Sequence, residues 1–263
     1  MANHGWPRRA AHPGTAFRLW ASVCLVLLTT PLLEGAYAQS ESENVETALS
    51  LAELLRAARA VISANQDLIN DPSIGDKGLT SEVVLEQTFE RYQAETGVDP
   101  RSLDPETRKG RLLAAQIQAV AEVMDENQAT INREGQGLKG FVPAVFARLV
   151  NERFKAIIGD QAEIKVTAPK SIVRNRTALP DVWEDQVIEQ TLIQPDWPNG
   201  NYFTADTPNQ GRQAFRILIP EYYSAGCLKC HGEPAGEIDL TGYPKEGGKL
   251  GDLGGVISIT LFK

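Results

Sequence analysis

Residues 227–231 carry the side chains of this chain that are best suited to chemistry. They read C-L-K-C-H, which is two cysteines separated by two residues and a histidine directly after the second. A c-type haem is attached to this pattern. Each thiol can add to one vinyl group of the porphyrin, and the histidine then lies beneath the ring, where its imidazole can bind the iron. We predict that Cys227 and Cys230 bind one covalent haem c and that His231 is a ligand of its iron.

A redox-active disulfide is the main alternative for the same two cysteines. In that case Cys227 and Cys230 would exchange between dithiol and disulfide, and His231 would only be their neighbour. A structural zinc site is less favourable because it needs four ligands, and the sequence has no second pair to complete it.

The first 38 residues have the features of a secretory signal peptide. Three arginines form a basic start, residues 19–28 supply a short apolar run, and residues 36–38 form a small-x-small cleavage site. The apolar run is too short for a permanent membrane span, and an uncleaved anchor is the alternative. We predict export by the general secretory route and cleavage near Ala38, which gives a periplasmic or otherwise exported protein.

The rest of the chain, residues 39–263, is acidic and poor in metal ligands. The full sequence has a formal net charge of −8, and removal of the first 38 residues changes this to about −10. Such a charge is unfavourable for binding nucleic acid or an anionic membrane surface. Residues 39–263 contain two cysteines, one histidine and one methionine, Met124. Candidates for a second iron ligand are therefore few.

Helical periodicity dominates the first half of the mature chain. Apolar residues recur at three- and four-residue spacing in four segments. Asp104, followed by Pro105, is expected to cap the third helix, and Gly97 and Gly159 are expected to end the second and the fourth. The predicted helices cover residues 45–68, 81–92, 105–132 and 143–158.

Strand-like alternation and turn residues replace this periodicity after Gly159. The predicted strands cover residues 162–167, 214–219 and 256–262, with a short helix at residues 181–192. Helices followed by strands indicate an α+β fold, with long N-terminal helices packed on a mainly antiparallel sheet. We expect one domain over residues 39–263, divided into a helical half (39–159) and a sheet half (160–263).

The position of the motif excludes two common classes of c-type cytochrome. Small electron carriers attach haem near the N-terminus and supply a methionine from later in the chain, but no methionine or histidine follows His231 here. Helical-bundle cytochromes carry the motif on a helix that continues, whereas Gly232 and Pro234 begin a stretch rich in glycine and proline. We therefore expect the motif on a loop between strands.

Three blocks of the sequence resemble an exported single-haem c-type family, long catalogued as a haem-binding domain of unknown function. Residues 170–176 (KSIVRNR) and 179–184 (LPDVWE) resemble the R-N-x-x-N-x-P-D-x-W-E block of that family. Residues 220–223 (PEYY) and residues 243–259 resemble its haem segment and its closing loop and strand. The resemblance extends firmly from Ala162 to the end and more loosely over the helical half.

The resemblance implies a PAS-like sheet preceded by long helices, with covalent haem on one face. Members of this family occur alone or as the sensing modules of exported receptors, so redox sensing, gas sensing and electron transfer are all implied. No kinase or chemoreceptor module follows in this sequence. We therefore expect output through a redox or signalling partner protein, and a small gas as the ligand of an open iron position.

The second axial position of the iron is left open by the sequence. Some members of the family are thought to place a cysteine there, and this mature chain has none to spare. We expect a vacant or water-bound position, with Met124, a lysine or a tyrosine as alternatives. Arg174 and Arg176 are candidates to pair with the haem propionates, because arginine forks suit carboxylates.

These features together predict an exported monohaem c-type protein that works in redox or gas sensing or in one-electron transfer to a partner. We favour these roles over an enzymatic one. A small peroxidase-like haem enzyme is the first alternative, although the mature chain has no second histidine to act as a distal base. An exported thiol–disulfide protein without haem is the second alternative.

Overall fold

The structure is a computed structural model that describes the backbone of residues 30–263 and the side chains of residues 39–263. The chain divides into two compact units, Met1–Ser42 and Glu43–Lys263. In the first unit, the described residues are helical. The predicted signal peptide and its cleavage site near Ala38 lie outside the residues whose side chains are described. None of the helices in the described part of the chain combines the length and the apolar character that crossing a membrane requires.

The second unit begins with helices whose apolar faces form the main core. Leucine, valine and isoleucine at helical spacing are almost completely buried along the first helix, as an amphipathic helix against a core requires. The helices are α1 (Thr30–Ala64), α2 (Gln66–Ile69), α3 (Ser81–Thr96), α4 (Arg108–Ile131) and α5 (Pro143–Ile158).

The ends of these helices follow from their capping residues, with one correction. Thr80 caps α3 and Gly97 ends it with a φ of 74°, a left-handed conformation that favours glycine. Helix α4 starts later than the sequence predicts, because Thr107 accepts a hydrogen bond from the backbone N–H of Gly110 and is the cap. The prediction that Asp104 caps this helix is wrong. Its carboxylate accepts from the N–H of Glu106 and closes a separate turn.

Four antiparallel strands form one sheet in the order β1-β4-β3-β2. Alternate residues face opposite sides, as the pleat of a strand requires. Ile217, Ile219, Ile257 and Ile259 belong to the main core with the helices, whereas Leu218 belongs to a smaller second cluster. The strands are β1 (Ala162–Thr167), β2 (Phe203–Asp206), β3 (Ala214–Tyr222) and β4 (Leu253–Phe262).

A short helix, α6 (Val182–Val187), and the π-helical turn that follows it (Ile188–Leu192) pack in the second cluster. Asp181 caps α6 through a capping box with Glu184. The buried guanidinium of Arg216, on β3, donates to Asp181 Oδ2 at 2.6 Å and lies 4.2 Å from the ring of Trp183. A buried arginine therefore ties the helix to the sheet.

The connection from β3 to β4 carries the C-x-x-C-H motif. Residues 223–252 leave the sheet after Tyr222 and return at Leu253, and they contain a single short helix, α7 (Leu228–His231). The N–H of Tyr223 donates to Asp252 O at 2.9 Å, so the two ends of the connection are joined. The predicted α+β class, with a mixed helical and antiparallel architecture, is confirmed, and the motif lies between strands.

Candidate functional site

The motif forms one helical turn. The N–H groups of Cys230 and His231 donate to the carbonyl oxygen of Cys227 at 3.1 and 2.9 Å. Residues three apart on a helix are neighbours on its surface, so this turn brings the two cysteine side chains to one side. Both thiols are unbonded and partly exposed. The local backbone therefore presents two free sulfurs together, followed directly by an imidazole.

The two thiols have different surroundings. Cys227 Sγ lies 3.3 Å from the hydroxyl of Ser224. Burial raises the pKa of the Cys230 thiol, and the Asp239 carboxylate raises it further. The surroundings of Cys230 thus favour its neutral thiol form.

The imidazole of His231 is oriented from two directions. Its Nδ1 lies 2.8 Å from Glu246 Oε2, and its ring stacks on Tyr223 with centroids 5.2 Å apart and an angle of 19°. The carbonyl oxygen of His231 accepts from the N–H of Gly248 at 2.7 Å. Because Nδ1 is engaged by a carboxylate, Nε2 is the ring nitrogen left to bind a metal.

Glu246 is in turn held by Arg174. The Nε and one terminal nitrogen of Arg174 donate to the two oxygens of Glu246 at 2.5 and 2.9 Å, and its other terminal nitrogen donates to Asp239 Oδ2 at 2.6 Å. Arg174 also donates to the carbonyl oxygen of Cys230 at 2.8 Å. One guanidinium therefore connects the motif backbone to the two acids.

The charges of Arg174, Asp239 and Glu246 stabilise one another. Burial alone would raise the pKa of the Glu246 carboxyl, but hydrogen bonds from Arg174 and His231 lower it. Burial would likewise raise the pKa of Asp239, and hydrogen bonds from Thr241, Arg174 and the backbone hold it well below its usual range. Burial would lower the pKa of Arg174, and its bonds to both acids raise it instead. All three groups are therefore charged at neutral pH.

Tyr223 fits into a space that only glycines leave open. A Cβ atom added at Gly248 or Gly254 would overlap with its ring. Burial, followed by the negative charge of Glu246, raises the pKa of the phenol to about 12, so the side chain is neutral. Gly248 in the connection and Gly254 in β4 thus allow the ring to lie against His231.

The predicted site residues are not all brought together. Arg174 lies at the motif, but its partners here are Glu246, Asp239 and the Cys230 backbone, and its contact with haem propionates remains a prediction. Arg176 is exposed at the start of a 3₁₀ turn, Arg176–Ala178. Met124 is completely buried in α4 within the main core. That is the environment of an ordinary packing methionine, and its role as an iron ligand remains a prediction.

Glu246 and Asp239 are functional candidates that sequence reasoning missed. Both lie in the glycine-rich stretch after the motif, where acids are common and no local spacing distinguishes them. Their partner Arg174 is distant in sequence, separated by 72 residues from Glu246 and by 65 from Asp239. Only the folded chain places them next to His231.

The residues of this site fit a covalently attached porphyrin. Two free thiols share one helical turn, and an imidazole with one nitrogen engaged follows them. The same connection also exposes four large apolar side chains, which a porphyrin ring could cover. They are Ile238, Leu240, Tyr243 and Leu250, each more than half exposed.

Comparison with known proteins identifies one family. The family described as Tll0287-like matches residues 37–261, which include helices α2–α7, the motif, strands β1–β3 and all of β4 except its last residue. It is known as a haem-binding domain. No curated protein and no solved structure matches the chain.

Proposed function

This chain belongs to the Tll0287-like family, and we propose that it is an exported monohaem c-type protein for redox or gas sensing, or for one-electron transfer to a partner. The observation that carries the proposal is the arrangement at residues 227–231. Two unbonded thiols share one helical turn, and the imidazole that follows them has Nδ1 held by Glu246. A haem-binding family supports the same cofactor.

Cys227 and Cys230 would hold the porphyrin through two thioethers. Each thiol adds its sulfur to one carbon of a vinyl group and its hydrogen to the other, so no oxidant and no leaving group is required. The raised pKa of Cys230 is compatible with this role, since the product is an uncharged thioether.

His231 would bind the iron through Nε2. The haem supplies a metal that exchanges one electron or binds a diatomic gas. The protein supplies the orientation of the imidazole, through Tyr223 and Glu246, and an apolar surface on the connection between β3 and β4. These contributions suit a sensor or a carrier, because neither requires a general acid or base near the iron.

Covalent attachment is tested by producing the full chain together with a haem-attachment machinery and staining a denaturing gel for haem. We expect a stained band for the unmodified protein and for Lys229→Ala, which changes a residue inside the motif without removing a ligand. Cys227→Ser combined with Cys230→Ser should give no stain. A colourless unmodified protein whose thiols titrate reversibly would instead support the thiol–disulfide alternative.

The sixth position of the iron decides between sensing and electron transfer. We propose a vacant or water-bound position, and an optical spectrum of the reduced protein with and without carbon monoxide tests it. A spectral change on adding the gas is expected for an accessible iron. An unchanged spectrum would contradict the proposal and indicate a strong protein ligand, for which Met124, a lysine or a tyrosine are the candidates.

Export is a separate part of the proposal. Residues 1–38 have the basic start, the apolar run and the cleavage site of a signal peptide. We expect the protein recovered from an exporting cell to begin at Gln39. N-terminal sequencing checks this, and a chain recovered with residues 1–38 attached would overturn the predicted cleavage.

A further inference from the structure

We infer that Glu246 is a positioning residue that draws the Nδ1 proton of His231 towards itself and thereby lowers the midpoint potential of the iron bound at Nε2. This inference rests on the proposed function, because it requires iron at His231. It goes beyond that function by assigning the control of the potential to the Glu246 carboxylate. Arg174 holds this carboxylate in place, and Asp239 holds Arg174.

The contact itself is short and sheltered. Glu246 Oε2 lies 2.8 Å from Nδ1 of His231, and the side chains are 14 % and 31 % exposed. A charged acceptor forms a stronger hydrogen bond than a neutral carbonyl, and water screens the bond less when it is partly buried. The imidazole therefore donates at Nδ1 to an ionised carboxylate, and Nε2 is the nitrogen left for the metal.

Arg174 fixes the carboxylate without neutralising the group as a whole. Its guanidinium donates to both oxygens of Glu246, at 2.5 and 2.9 Å, and so leaves little freedom for the carboxylate to turn away. The same guanidinium also pairs with the fully buried Asp239 at 2.6 Å. Two carboxylates thus share one positive charge, and the cluster next to His231 carries a net charge of −1.

Asp239 is positioned in turn by the connection that contains it. Its Oδ1 accepts from the N–H and the hydroxyl of Thr241, both at 2.7 Å, and from the N–H of Tyr243 at 3.1 Å. These bonds fix the acid through partners within the connection itself. Hydrogen bonds therefore connect Asp239 to Arg174, Arg174 to Glu246 and Glu246 to the imidazole, and together they fix the orientation of the ring.

The consequence for the metal follows from the charge on the ligand. A carboxylate that attracts the Nδ1 proton makes the imidazole more basic and more electron-rich, and partners of this kind tune metal sites. An electron-rich ligand favours the ferric over the ferrous state, so the midpoint potential falls. Replacing the carboxylate by a neutral acceptor should reverse this effect.

The test compares Glu246→Gln with Glu237→Gln in the haem-loaded full chain by spectroelectrochemical titration. Glu237 is the matched control because it lies on the same connection, is exposed, and pairs with Lys245 at 3.3 Å rather than with the histidine. We expect Glu246→Gln to shift the one-electron equilibrium towards the reduced form by about tenfold, a rise of about 59 mV. The Glu237→Gln potential should stay near that of the unmodified protein.

Equal potentials for Glu246→Gln and the control would overturn the inference, as would a fall in the potential of Glu246→Gln. Should Glu246→Gln not fold, Glu246→Asp keeps the charge and withdraws the carboxylate by one methylene, and its potential should also rise. The proposed function fails separately, since then even the unmodified protein would carry no haem on a denaturing gel. A stained protein with an unshifted potential refutes only the role of Glu246.

Discussion

The ring of Tyr223 stacks on the imidazole of His231, with centroids 5.2 Å apart and an angle of 19° between the planes. Tyr223 directly follows β3, where the pairing with β4 shifts register between Glu221 and Tyr222. Such irregularities re-aim side chains at functional sites. The end of a central strand therefore determines the plane of the imidazole, while Glu246 determines its rotation within that plane.

Replacing Tyr223 should separate the role of its ring from that of its hydroxyl. Tyr223→Phe keeps the stacked ring, and we expect the free energy of unfolding to change by less than about 0.5 kcal/mol. Tyr223→Leu removes the stack from a nearly buried position and should cost about 1–3 kcal/mol. Urea unfolding of the two variants checks this, and an equal loss for both would show that the hydroxyl carries the stability.

Gly254 should be intolerant of a side chain, because an added Cβ would overlap with the ring of Tyr223. We expect Gly254→Ala to lower the free energy of unfolding by about 1–3 kcal/mol, the usual cost of overpacking. Gly226→Ala is the control, since its Cβ would have only the Ser224 hydroxyl nearby, at 3.8 Å. Two equally stable variants would mean that Tyr223 can move at no cost.

Asp181 should make the stability of the chain depend on pH in the acid range. Burial raises the pKa of its carboxyl, but hydrogen bonds from the Glu184 backbone and from Arg216 outweigh this and lower it. Because its pKa is lower in the folded than in the unfolded chain, Asp181 stabilises the folded state at pH values above the ordinary pKa of about 3.9. This contribution is lost as the pH falls through the pKa of the folded state.

Asp181→Asn is the variant that isolates this charge, because asparagine still caps a helix. We expect it to be less stable than the unmodified protein from about pH 5 upwards, with the difference disappearing in stronger acid. Chemical unfolding at a series of pH values measures this difference. A constant difference across the series would assign the effect to packing instead of charge.

Met124 should behave as a packing residue. It is completely buried among core residues of α4 and its neighbours. We expect Met124→Leu to cost less than about 1.5 kcal/mol and Met124→Ala about 2–5 kcal/mol. The optical spectrum of the haem-loaded Met124→Leu protein should be unchanged, and a shifted spectrum would identify the methionine as an iron ligand.

Much of the fold can be predicted because its signals are local. Pro143 at the start and Gly159 after the end determine α5 at the predicted bounds, and strand alternation locates β1. The edge strand β2, Phe203–Asp206, has only four residues and no buried one, so it leaves no such pattern. The later start of α4 reflects competition between two capping residues three positions apart, Asp104 and Thr107.

The site is predictable only where its residues are adjacent in sequence. Cys227, Cys230 and His231 follow from their spacing alone. The contact of Arg174 with Glu246 requires the loop after β1 to pack against the loop before β4. Neither loop has a periodic sequence pattern from which this packing could be predicted. Arg174 is a candidate from sequence because an arginine fork suits carboxylates, but its acidic partners Glu246 and Asp239 depend on the tertiary structure.

The joining of β3 to β4 has a consequence for how the protein matures. These two strands are hydrogen-bonded antiparallel neighbours. Residues 223–252 are therefore a long loop that joins the two strands of a hairpin. The two hydrophobic clusters of the described residues take no member from positions 224–252. The core therefore packs without side chains from the attachment loop, so that acquiring a cofactor there would leave the packing of the two clusters unchanged.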